Sequence, residues 1–318
     1  MKAAILYALG ETPHFGDFEE PAPDGDETLV HVTAAAIKPL DRAIAAGVHY
    51  SSPRVLPVVC GMDGVGRLDD GSRTYFAAFR QPFGAMAERA PASWTVPVPD
   101  GLSDEQAAAI VNPALAAWLP LVWRGRFQPG ETVLIVGATG AAGRFAVRAA
   151  RLLGAGKVIA AGRRADVLRS LDADATIDLT LAESDLEAAF APHVAEGIGV
   201  VVDYVWGRPV EIFIESLIKP DLAAARSEIV TRIVSVGEMA GRTITLSSSA
   251  LRASRLEILG SGSANFPPRA QMQEIVADIL GRAAAGQIAL EVETFPLADV
   301  GRVWTVANGD ARPVLVTA

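Results

Sequence analysis

The chain has 318 residues, half of them apolar and a fifth charged, with a formal net charge of -9. That length supports two domains with substantial cores, that composition excludes a disordered chain, and that charge argues against nucleic acid or an anionic membrane surface as a partner. The single cysteine, Cys60, excludes an intramolecular disulfide and any cysteine-based metal cluster, and His14, His31, His49 and His193 form no ligand-spaced pair.

Residues 1 to about 119 read as short strands joined by turns, with strand character at 2–7, 27–35 and 64–68 and Pro and Gly between them. The opening run has one positive charge and a short apolar stretch, and it leads into Gly10-Glu11-Thr12-Pro13 without a cleavage site. It therefore reads as a first strand rather than a signal peptide. Residues 39–47 have helical spacing, with Leu40, Ala43 and Ile44 on one face. Ser103 followed three residues later by Gln106 is a capping box at the start of an apolar helix. The most apolar stretch, 107–123, is interrupted by Asn112-Pro113 and Pro120 and is expected to fall short of a membrane span. A cytoplasmic protein is the expectation.

The next segment organises the chain. Thr132-Val133-Leu134-Ile135-Val136 is a β-branched apolar run that ends in Gly137-Ala138-Thr139-Gly140-Ala141-Ala142-Gly143, and helix-period residues 144–154 start at once. Strand, tight turn and helix form the first half of a βαβ unit with an A-x-G-x-x-G turn. Gly140 and Gly143 let the backbone approach a pyrophosphate, and the helix N-terminus offers it N–H groups. A plain glycine-rich turn is the alternative. About 20 residues on, a site for NAD carries an acid for the ribose 2′-hydroxyl. Here the second strand ends in Gly162-Arg163-Arg164, with no acid before Asp166. Two guanidiniums suit a 2′-phosphate through forked, charge-assisted hydrogen bonds, so the expected cofactor is NADPH.

Further strands are expected at 157–161, 175–179, 199–204, 230–237 and 256–261, each short, apolar and followed by a turn signal. An amphipathic helix at 271–286 follows, then a strand at 291–295, a short helix at 297–306 and a closing strand at 313–317. The fold class is α/β: a Rossmann doubly wound parallel sheet, 120–264, inserted in a β-rich domain made of 1–119 plus 265–318.

This arrangement resembles the medium-chain dehydrogenase/reductase superfamily, and within it the zinc-independent quinone oxidoreductase branch. The resemblance rests on Ala34-Ala35-Ala36-Ile37-Lys38-Pro39-Leu40-Asp41, on Leu56-Pro57-Val58-Val59-Cys60-Gly61-Met62-Asp63-Gly64-Val65-Gly66, and on Val98-Pro99-Asp100-Gly101-Leu102-Ser103 before an alanine-rich helix. It implies that the β-rich part is a GroES-like catalytic domain. It also implies a homodimer joined through the last Rossmann strand, near Leu256-Glu257-Ile258-Leu259-Gly260. Zinc-dependent relatives carry a Cys near Lys38 and a His at Met62, so the resemblance implies no metal site. Segment 219–231 is longer than the turn relatives have before their fifth strand.

Without a metal, hydride is expected to go to an acceptor that needs little electrophilic help, a quinone or an α,β-unsaturated carbonyl. Tyr50, in the loop after Gly47, is the preferred hydrogen-bond donor to such a substrate, and His49 is a lesser one. Lys38 is a second candidate, donating to substrate oxygen or contacting cofactor. Beyond the glycine turn and the arginines, the resemblance adds Asn112, Gly237 and Ser263 as cofactor-binding positions. The alternatives are a dedicated biosynthetic enoyl reductase and an NADPH-binding sensor or structural protein without efficient turnover.

Overall fold

The computed structural model describes residues 1–218, 229–306 and 311–317. The chain divides into two compact units, Met1–Asn112 with Pro268–Ala318, and Pro113–Pro267. The first piece of the first unit contains β1 (Lys2–Leu6), β2 (His14–Asp17), β3 (Thr28–Ala36), α1 (Pro39–Ala45), β4 (Val58–Val59), β5 (Asp63–Arg67), β6 (Arg73–Ala77), β7 (Arg89–Ala92) and β8 (Trp94–Pro97). Helix α2 (Asp104–Trp118) runs across the unit boundary. The second unit continues with β9 (Thr132–Val136), α3 (Ala141–Leu152), β10 (Lys157–Gly162), α4 (Ala165–Ser170), β11 (Ala175–Asp178) and α5 (Glu183–Glu196). Then come β12 (Val200–Asp203), α6 (Arg208–Ser216), β13 (Thr231–Ser235), α7 (Ser248–Ala253) and β14 (Leu256–Gly260). The chain returns to the first unit with α8 (Arg269–Ala284), β15 (Val292–Pro296), α9 (Val300–Trp304) and β16 (Arg312–Val316). Of the long segment 219–231, residues 219–228 lie outside the described residues.

In the first unit, a three-stranded sheet of order β2-β1-β4 accompanies a seven-stranded one of order β15-β16-β3-β5-β6-β8, with β7 also on β3. Strands β2, β4, β6, β7 and β8 had no counterpart in the sequence reading. Strand β7 contains Pro91, a residue that normally argues against a strand, yet Pro91 faces Leu29 of β3 in an antiparallel ladder. Leu6, Val30, Phe76, Met86, Val303 and Leu315 are among the buried side chains of the core these strands enclose.

Prolines do not interrupt the apolar helix as the sequence suggested. Helix α2 carries Pro113 inside it and passes into a π-helical turn, Leu119–Arg124, in which the Gly125 N–H bonds back to the Pro120 carbonyl at 2.8 Å. The wider turn accommodates the proline ring and its missing donor. Asp104–Arg124 is thus one helix of 21 residues, long and apolar enough to cross a membrane, with 67% of its most apolar window buried as in a core helix. At its start the Gln106 N–H bonds to Ser103 Oγ at 3.2 Å. The reciprocal half of the capping box is absent, because the Gln106 amide reaches the Leu290 carbonyl instead.

The second unit is a six-stranded parallel sheet of order β11-β10-β9-β12-β13-β14. Counted from β9, this is the 3-2-1-4-5-6 order of a dinucleotide-binding fold, with the reversal between β9 and β12. Its central strands are apolar throughout because helices cover both faces: Val133, Leu134, Ile135, Val200, Val201 and Val202 have no exposed surface. Strand β14 is an edge of the sheet, paired among the described residues to β13 alone.

Candidate dinucleotide and substrate sites

In a parallel sheet every strand ends on the same side. The sequence-predicted cofactor residues of the second unit collect there: Gly137 after β9, Gly162 at the end of β10, Gly237 after β13 and Ser263 after β14. The turn after β9 is pinned by Gly137 and Ala138, whose N–H groups both donate to the Ala161 carbonyl at 2.9 and 2.8 Å. Gly137 has a φ of +91°, and a Cβ there would press on Val205 and Tyr204. Gly140 is the N-cap of α3. A Cβ on Gly143 would lie 2.3 Å from the Gly137 carbonyl oxygen and 2.7 Å from Ala138 Cα, so only glycine lets the helix start against its own turn. No side chain caps α3 and its first turn has no acid. Its N-terminal N–H groups and positive dipole end therefore suit a phosphate, with Thr139, Ala141 and Ala142 completing the loop. The residues present fit a bound dinucleotide pyrophosphate.

Arg163 and Arg164, both exposed, follow β10. Arg164 Nη2 donates to the Thr139 carbonyl at 3.2 Å, which brings the second arginine onto the glycine turn. Thr139 packs on Gly162, where any Cβ would clash at 2.5 Å. Two further groups escaped the sequence reading. Arg144, in the first turn of α3, also directs its Nε to the Thr139 carbonyl, at 3.5 Å. Asp203, fully buried at the end of β12, accepts the Val205 N–H at 2.9 Å and the Trp206 N–H at 3.1 Å. Burial pushes its carboxyl up to about 6 against the pull of those two N–H donors. It holds a turn in which Trp206 has a φ of +53°. The signal for Asp203 was available: an acid ending the apolar run Val200-Val201-Val202.

The first unit carries Lys38, Tyr50 and, in α2 at its boundary, the half-buried Asn112. Lys38 is not on a solvated turn: it has no exposed surface. Its ammonium donates to Asp63 Oδ1 at 2.5 Å and lies 3.4 Å from Asp41 Oδ2. Burial alone would lower its pKa, but the two carboxylates hold it above the ordinary lysine value. The Asp41 carboxyl also accepts the Lys38 N–H at 2.9 Å, which closes the start of α1. Tyr75 is also buried, and burial together with the nearby carboxylates of Asp63 and Asp41 raises its phenol well above the usual range. Tyr50, on the loop beyond α1, is 67% exposed where Lys38 is buried, and its ring lies 4.0 Å from that of His49. Cys60 is buried, and burial pushes its thiol up. Among the described residues no group of three or more His, Cys, Asp or Glu is arranged to hold a metal ion.

No family model matches the chain. Among curated proteins it is 29% identical over 232 residues to the probable NADPH-dependent quinone reductase tdiC of Emericella nidulans, covering 61% of this chain and 65% of that one. It is 27% identical over 228 residues to the trans-enoyl reductase pgmF of Aspergillus terreus, covering 59% and 61%. The matched stretches of the first curated relatives span from 6% to 65% of those proteins' own length. Among solved structures, the quinone oxidoreductase of Thermus thermophilus, determined also as its complex with NADPH, superimposes with a TM-score of 0.75 at 25% identity, over 99% of this chain and 100% of that one. With the 3-2-1-4-5-6 sheet, the accompanying mixed sheet and the glycine turn, these similarities support the resemblance to the quinone oxidoreductases of the medium-chain dehydrogenase/reductase superfamily, whose fold the chain shares.

Proposed function

We propose that the chain is an NADPH-dependent reductase that delivers hydride to a quinone or an α,β-unsaturated carbonyl. The observation that carries the reading is the pairing of an uncapped α3 N-terminus with arginines, not an acid, at the end of β10. The cofactor, when bound, supplies the hydride. The chain's own part is to hold the pyrophosphate on the α3 turn, to bind the ribose phosphate through Arg163 and Arg164, and to stabilise negative charge arriving on the acceptor oxygen. Tyr50 is the proposed donor for that oxygen, and Lys38 is assigned to holding Asp41 and Asp63 in place. Asn112, Gly237 and Ser263 remain proposed cofactor contacts.

The first experiment is steady-state oxidation of NADPH against quinones, enones, enoyl thioesters and saturated ketones. Turnover with the first three and not the last supports the proposal. Selective turnover of enoyl thioesters favours a dedicated enoyl reductase, the reading that the trans-enoyl reductase match supports. Binding of NADPH without turnover of any acceptor would leave a sensor or structural protein. We also propose a zinc-free homodimer joined through the open edge of β14. Elemental analysis showing one zinc per chain, or light scattering giving the mass of one chain, would count against the respective part.

A further inference from the structure

We propose that Trp206 is a cofactor contact, its indole forming a wall of the dinucleotide crevice beside the glycine turn. The inference deepens the cofactor reading above and rests on it. Trp206 has a φ of +53°, a conformation that bulky side chains rarely adopt and that costs free energy. Arg126 is the other non-glycine residue with a positive φ among the described residues, and it precedes β9. Trp206 instead follows β12, which in a parallel sheet ends on the side where Gly137, Gly162 and Gly237 collect. Such strain persists only where the surroundings over-determine it, and the chain around Trp206 is held from several directions. Both carboxylate oxygens of Asp203 accept the Trp206 N–H at 3.1 Å, and Oδ1 also accepts the Val205 N–H at 2.9 Å. The Ala240 N–H donates to the Val205 carbonyl at 2.6 Å, and a Cβ on Gly207 would lie 2.8 Å from the Ala240 carbonyl oxygen. In α2 the Ala116 carbonyl would ordinarily take the N–H of residue 120, but Pro120 has none, and the Tyr204 hydroxyl donates to it at 2.8 Å instead. The turn so fixed lies directly against the glycine turn: a Cβ on Gly137 would lie 2.9 Å from Val205 Cγ1 and 3.1 Å from Tyr204 Cβ. A Cβ on Gly237 would lie 2.6 Å from the Tyr204 carbonyl oxygen. The Trp206 side chain, next along, is half-buried and packs in part on the core of the second unit. A turn that needed only a left-handed residue would be served by glycine or asparagine. A large flat ring kept there at a backbone cost suits a large flat ligand, a base of the dinucleotide. This contact makes no use of the 2′-phosphate and serves NADPH and NADH alike.

The test measures dissociation constants of NADPH and NADH for the wild type, Trp206→Phe and Trp206→Gly, each well below its unfolding midpoint, together with the quenching of tryptophan fluorescence by NADP+. Trp206→Gly, which accepts the positive φ without strain, should weaken both nucleotides by about tenfold, within the range for losing an aromatic stack on a base. Trp206→Phe keeps a ring and should lose about threefold or less. NADP+ does not absorb indole emission and quenches by contact, so its quench should be clear in the wild type and shrink in Trp206→Phe. Unchanged affinities in Trp206→Gly, with NADPH still bound, would overturn the inference and leave the cofactor reading standing. Equal losses in the Phe and Gly variants, or the same quench with and without Trp206, would assign the residue to packing alone and likewise overturn it. A wild type that binds neither nucleotide removes the cofactor reading and this inference with it.

Discussion

Lys38 Nζ lies 2.5 Å from Asp63 Oδ1, with Lys38 at the N-cap of α1 and Asp63 at the start of β5. Asp41 completes the cluster from one turn into α1, and one of its oxygens, Oδ1, has no hydrogen-bond partner. Two buried carboxylates thus depend on one ammonium. Removing a single partner of such a cluster is far worse than replacing it whole, because it strands a buried charge. Lys38→Met should therefore cost about 3–5 kcal/mol of stability, read from urea unfolding. A variant with native stability and no activity would instead return Lys38 to the role of substrate donor.

Gly143 tests the turn without touching a charge. Its missing Cβ is the reason α3 can begin against Gly137 and Ala138. In Gly143→Ala the helix must back away, which should cost about 1–3 kcal/mol and weaken NADPH and NADH alike, since both share the pyrophosphate. Calorimetric titration checks this; a loss confined to NADPH would mean that the turn does not hold the pyrophosphate.

How far these features were legible depended on how local their causes are. Strands β9 and β10 could be read because each is buried on both faces and must be apolar along its whole length, and the glycine turn because Gly137 and Gly143 leave no room for a Cβ. Pro91 hid β7, because its place in the ladder is set by Leu29 of a strand far back in the chain. Lys38 was recognised as a position of interest but not as a buried one, since its partner Asp63 is 25 residues away and nothing local announces the contact.

Asp203 makes stability depend on pH in a defined direction. Its carboxyl is raised from 3.8 to about 6 in the folded chain. Between about pH 4 and pH 6 the native state therefore holds more protons than the unfolded state, and stability falls as pH rises through that window and is flat above it for this group. Asp203→Asn keeps an acceptor for the Val205 and Trp206 N–H groups and removes the titration. The stability of the wild type relative to the variant should decline by about 2 kcal/mol from pH 4 to pH 7, measured by urea midpoints. Parallel profiles would show that Asp203 does not titrate there.

Tyr50 is the remaining donor to be tested, and the geometry of its neighbour bears on the choice. His49 Nδ1 accepts the Ser51 N–H at 3.1 Å, and burial lowers the His49 pKa, so the ring is neutral near pH 7 with its proton on Nε2. The Tyr50 ring stacks at 4.0 Å with a 33° tilt on that imidazole, which steadies an exposed phenol. Lys38 is buried and committed to its carboxylates, whereas the Tyr50 side chain is exposed. Tyr50→Phe keeps the stack and deletes only the hydroxyl. It should lower kcat by roughly 10²-fold, the effect of losing one stabilising donor, with NADPH affinity unchanged. If kcat is unchanged across quinones and enones, the proton comes from solvent, and the acceleration rests on holding the acceptor against the hydride rather than on any acid in this loop.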